Sequence, residues 1–168
     1  MKRRTISKIV IPDPMCFRES KSHRQSRRGA TAVEAAFTLP LLLWILLALL
    51  DLGTAAIRMN ALSDTARRIG RRATLHGSMS PPANGTWGPE SFSGNMVSGT
   101  HYAGNLQAFL PTMDPESVSM KVEWPDGEQR PGDRVRVQLE FTHDSLVPGL
   151  FPWGPFELQG TSTMTIVN

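Results

Sequence analysis

The chain has 168 residues, 40% of them apolar, and a single cysteine, which leaves room for one ordinary domain and excludes an internal disulfide framework. A sequence pI of about 9.5 suggests a nucleic-acid binder until the charges are located. Residues 1–28 hold nine Lys/Arg against two acids, whereas from Gly77 onward there are four basic residues and ten acidic ones, so a basic leader precedes an acidic domain and no nucleic-acid partner is expected.

The leader, residues 1–29, carries Cys16 behind the polar stretch IPDPM. No apolar segment precedes this thiol, which reads as an ordinary cytosolic cysteine. From Ala35 to Leu50 sixteen residues run without a charge, and Leu52 to Ile57 prolong the apolar character past Asp51. At 1.5 Å per residue these lengths are about 24 and about 35 Å, which bracket the roughly 30 Å hydrocarbon core of a bilayer. One transmembrane helix is expected over residues 30–57, with the lipid bilayer as its surroundings. The leader cations favour a cytoplasmic N-terminus, and Arg58, Arg67, Arg68, Arg71 and Arg72 weaken that bias without reversing it. The expected location is the bacterial inner membrane, single-pass, with the C-terminal domain extracytoplasmic. Pro40 lacks the N–H owed to the carbonyl of Ala36, so a bend is expected there.

Three processing signals compete. Thr54-Ala55-Ala56 is a passable secretory cleavage site, but the apolar core is longer than such signals carry. SRRG at 26–29 has the arginine pair of a twin-arginine signal, followed by ATAVE instead of a bulky apolar pair. A cut after Gly29 accounts for Glu34: Ala30 becomes the N-terminus and its new ammonium lies one helical turn from the Glu34 carboxylate. The pair forms within one chain or between neighbouring helices, where it would register their stagger, because an intramembrane carboxylate is costly unless matched. An uncleaved anchor with Glu34 snorkelling to the headgroups is the plain alternative.

The string RRGATAVEAAFTLPLLL, with Arg27, Arg28 and Gly29 before Glu34 and Pro40 beyond it, then Asp51-Leu52-Gly53 and NALSDTARRIGRRA, resembles the TadE-like family of pseudopilins from tight-adherence pilus systems. The resemblance implies a pilin-like processing site at Arg27, Arg28, Gly29 and Ala30, a helix-registering role for Glu34 and a helix bend at Pro40. It also implies a prepilin peptidase, other pilin or pseudopilin subunits and inner-membrane pilus assembly machinery as partners. The rival reading is a signal-anchored or secreted envelope domain with binding or enzymatic work of its own.

Over residues 58–76 the pattern stays helical. Ile57, Ala61, Ile69 and Ala73 follow a four-residue step, Leu62 and Ala66 widen the stripe, and Asp64 is placed to reach Arg67 or Arg68. A helix from about Ala30 to His76, stopped by Gly77, is predicted. Residues 78–95 read as an irregular loop within a region, 77–116, that also holds a short helix around His101 to Leu110. Residues 117–168 form the sheet domain: SVSMKVEW and RVRVQLEF alternate and read as strands joined across PDGEQRPGD, and FELQGTSTMTIVN supplies another. The Pro-rich connection DSLVPGLFPWGP is expected to fold across the sheet's end. The predicted fold class is α+β, a long N-terminal helix packed on a small antiparallel sheet of three or four strands.

No enzyme is expected. His23, His76, His101 and His143 are scattered, no spacing matches a metal, calcium or phosphate site, and His143-Asp144-Ser145 lie too close in sequence for a triad. Neither a metal nor a cofactor is expected. The Asn84-Gly85-Thr86 sequon matters only in a glycosylating pathway.

Overall fold

The computed structural model describes residues 24–147, 149 and 154–167, with side chains from Gly29 onward. Most of the leader, Cys16 included, and the centre of the 144–155 connection lie outside the described residues. The chain divides into two compact units, Met1–Leu43 and Trp44–Asn168, whose boundary falls inside helix α1, Arg24–Ala73.

In the first unit α1 is a single apolar helix running through Pro40, and every residue from Gly29 to Leu43 is exposed. Ala and Leu dominate this stretch, so helix propensity is high and side-chain packing contributes nothing to it within one chain.

The second unit is α+β, as expected. Its sheet has four antiparallel strands in the order β1-β2-β3-β4: Phe92–Asn95, Ser119–Glu123, Arg134–His143 and Phe156–Thr165. Alternation placed β2, β3 and β4. Val118, Met120, Val122 and Trp124, then Val135, Val137 and Leu139, then Leu158 and Ile166, are buried on one face. Strand β1 is an addition, because its region reads as irregular loop. FSGN carries no period-two signal and becomes a strand by pairing with β2, Phe92 opposite Val122 and Asn95 opposite Ser119. Asn95 and Ser98 then close it, with the Asn95 N–H donating to Ser98 Oγ at 3.0 Å and the Ser98 N–H to Asn95 Oδ1 at 2.7 Å.

The C-terminal part of α1 lies on the apolar face through Ala55, Leu62, Ala66, Ile69 and Ala73, all buried. Ile57, by contrast, is 57% exposed. A strict four-residue step drifts about 40° around a helix each time, so a line drawn back from Ile69 leaves the buried face by Ile57. The helix ends at Ala73, short of His76, because the last turn tightens: the N–H of Leu75 donates to Arg72 O at 3.0 Å and that of His76 to Ala73 O at 3.1 Å.

Two glycines set the packing. A Cβ at Gly160 would stand 2.6 Å from the backbone of Leu62 and Ser63, so helix and strand β4 touch backbone to backbone there. Gly104, at φ +54, lies against the Arg72 guanidinium, which donates to Ala103 O at 3.0 Å. This divides the helix expected at 101–110 into α2, Thr100–Ala103, and a 3-10 turn over Gly104–Phe109.

Candidate functional site

In the first unit, Arg27 and Arg28 are already helical, and Gly29 and Ala30 follow as exposed residues of α1. Nothing lies within 4 Å of where a Gly29 Cβ would stand, so the space around this glycine is open to a partner. Glu34 is exposed one turn on. It lies in a shallow depression of the helix surface lined by Thr31, Glu34, Ala35, Thr38 and Leu39. The Thr38 hydroxyl is folded back, donating to Glu34 O at 2.9 Å, which keeps the surface beside the carboxylate low. Small side chains of this kind let a second helix come close. Thr31, Ala35 and Thr38 were not singled out from sequence, although their i−3, i+1 and i+4 positions around Glu34 are a readable signal.

The second unit holds a polar cluster that sequence reasoning missed. Asp51 interrupts the apolar stretch, yet it is 0% exposed. Its Oδ1 accepts the Leu146 N–H at 2.8 Å and lies 3.5 Å from His143 Nε2. Arg58, two turns along α1, meets His143 Nδ1 at 2.9 Å and also donates to Thr112 Oγ1 at 3.1 Å and Thr112 O at 2.9 Å. A guanidinium only donates, so Nδ1 is the acceptor and the ring proton sits on Nε2, toward Asp51. With the imidazole neutral, the 3.5 Å approach is a charge-dipole contact and not an ion pair. The arrangement ties α1 to the end of β3 by polar bonds on either side of Ala55, the first residue of the buried apolar stripe. The sequence offered His143 only as an adjunct of Asp144 and Ser145, and Asp51 only as a lone acid, because their meeting depends on a separation of more than ninety residues.

Elsewhere the charges are mostly spoken for. Asp64 pairs with Arg68 at 2.8 Å, the second of the two arginines within its reach. Asp126 accepts from the Arg134 side chain and backbone N–H, and these bonds hold its carboxyl down to about 2. Burial, and then the nearby Glu90, push the Tyr102 hydroxyl up. Among the described residues no group of three His, Cys, Asp or Glu is arranged to hold a metal ion.

From Gly29 to Ala73, α1 carries one stretch long and apolar enough to cross a membrane. No curated protein and no solved structure matches the chain. Residues 29–71 match the family described as TadE-like protein, a match that opens at Gly29 and lies within α1.

Proposed function

We propose that the chain is a pilin-like, TadE-like minor subunit or assembly factor of a tight-adherence pilus or a related secretion system, anchored by one membrane span and cut by a prepilin peptidase after Gly29. The observation that carries this reading is the TadE-like match beginning at Gly29 on a helix that presents Glu34 and its small-residue surroundings outward. Arg27 and Arg28 hold the leader on the cytoplasmic side, Gly29 admits the peptidase, and the freed Ala30 ammonium pairs with Glu34 of the same or a neighbouring helix. Pro40 allows the helix to bend within such a bundle. The partners are the peptidase, other pilin or pseudopilin subunits, the inner-membrane assembly machinery and the bilayer. The role asks no chemistry of the chain itself.

A secretory cut after Ala56 fits the fold poorly. It would remove Asp51 from beneath the Leu146 amide and His143 and strip Ala55 from the buried stripe. N-terminal sequencing of protein isolated from its native host discriminates among the readings: Ala30 is expected, Ile57 would indicate secretion, and an intact leader a plain anchor. Glu34→Gln and Glu34→Ala are expected to stay in the membrane yet fail to assemble. Normal assembly of both would remove the role given to Glu34.

A further inference from the structure

The second unit carries, on opposite faces, two charge patches that no ion pair among the described residues neutralises. Of the four arginines near the end of α1, Arg68 is paired with Asp64 and lies over the Phe109 ring at 4.5 Å, and Arg72 is held at Ala103 O. Arg67 and Arg71 are exposed, one turn apart, and no ion pair among the described residues reaches them. Like charges at this spacing repel by a few tenths of a kcal/mol. At 100° per residue they lie roughly 130° and 170° around the helix from the buried line of Leu62, Ala66, Ile69 and Ala73, on the side facing away from the sheet. On the opposite surface, the polar face of the sheet, Glu140 and Glu157 sit diagonally across β3 and β4, Glu140 opposite Gln159 and Glu157 opposite Thr142; Glu157 is exposed, and half-buried Glu140 accepts on Oε1 from the Gln138 and Gln159 amides at 2.6 and 3.5 Å. Lys121 on that face is already bound to Glu123 at 2.5 Å and Arg134 to Asp126 at 2.6 Å. The free Arg136 stands further along, opposite Thr163.

Lipid headgroups of the anchoring bilayer suit the arginine pair less well. Arg67 follows Ile57, the end of the expected span, by about 15 Å of helix, beyond the roughly 8–10 Å over which salt leaves a surface charge effective.

We propose that Arg67 and Arg71 of one copy of this chain receive Glu140 and Glu157 of the next, so that copies stack helix-back onto sheet-face in an open row. The two patches are different surfaces, so the contact is head-to-tail; a two-fold dimer would set like charge against like. It also lets every copy keep the same orientation, as membrane anchors entering one bilayer in one sense require. The row is staggered. β4 runs in the same sense as α1, with Gly160 beside Leu62 and Ser63, and Ser162 and Met164 beside Gly70. Glu157 therefore lies nearer the start of the unit than the arginines, so each copy is displaced along the helix axis from its neighbour, and in a longer row later copies stand progressively out of the roughly 30 Å hydrocarbon core. The inference rests on the membrane-anchored subunit reading and names a partner surface for it.

The test uses two differently tagged full-length copies, co-expressed in the native host without its own gene and extracted in mild detergent. Arg67→Glu/Arg71→Glu and Glu140→Lys/Glu157→Lys are each expected to lower co-purification by about tenfold, and the four substitutions combined in one chain to restore it. In membranes, Arg71→Cys mixed with Glu157→Cys should give a disulfide-linked dimer, and Arg71→Cys alone none. An unchanged tryptophan fluorescence spectrum shows that the variants are folded. Undiminished association of either reversal, failure of the combined chain to recover, or no association of the unaltered protein overturns the proposal. So does a loss confined to binding of phosphatidylglycerol vesicles, which would assign the arginines to lipid. If Glu34→Gln blocks assembly while the arginine reversal does not, the proposed function stands and this inference alone falls.

Discussion

The two lengths of α1 are one helix held by different physics. From Gly29 to Leu46 every residue is exposed, bulky apolar side chains such as Phe37, Leu41 and Leu49 just beyond included, so within one chain this length has only its own backbone bonds. From Asp51 to Ala73 a buried or half-buried residue recurs every three or four positions, and order comes from the sheet. A composition that looks continuous through Asp51 thus changes its source of stability there. The first length needs lipid or other helices to cover it, while the second is finished by its own domain.

The sharpest way to break the contrast is at the backbone contact of the second length. Gly160→Val places methyl groups where the Leu62 and Ser63 backbone already stands. It is expected to destabilise the second unit by about 3 kcal/mol, read as a lower urea midpoint by tryptophan fluorescence. Asp51→Ala comes next. It leaves the part-buried Leu146 N–H without its acceptor and takes the carboxylate away from the buried His143 ring, a loss of about 2 kcal/mol, whereas Asp51→Asn keeps an oxygen acceptor and should lose less. If both substitutions cost the same, the hydrogen bond to Leu146 is not what Asp51 contributes.

A smaller effect is expected from pH. The folded Asp126 carboxyl titrates near 2, below its unfolded value of about 4. Its contribution is therefore present above about pH 4 and is lost as the pH falls from there toward 2. Arg134→Ala should flatten that part of the stability profile. A profile unaltered by Arg134→Ala would detach the pair from the acid response. Glu34→Ala should have the smallest effect on the second unit, within about 0.5 kcal/mol, even where it abolishes assembly. A clear shift in the urea midpoint would show that the two lengths are not energetically separate.

What could be read beforehand follows the same division. Period-two alternation placed β2, β3 and β4, since each buries one face and exposes the other, and the apolar run placed the stretch of α1 long and apolar enough to cross a membrane. β1 was illegible because FSGN takes its conformation from the β2 ladder. The helix at 101–110 failed at Gly104, where a guanidinium from α1 occupies the space a side chain would need. Around Glu34 the motif was legible, but its low-lying surroundings appear only when 31, 35 and 38 are placed on one side of the helix. The Asp51 cluster left no local signal, since polar partners that meet across the fold obey no sequence period.

That cluster has a consequence for the order of events. The amide that receives Asp51 stands 95 positions further along the chain, and the imidazole beside it closes the penultimate strand. During synthesis the apolar rod is therefore complete long before its outer limit is fixed. Until residues as far as Leu146 have been made, the carboxylate lacks that donor. Truncation anywhere upstream of that amide would leave the apolar length of α1 without this tie to the sheet.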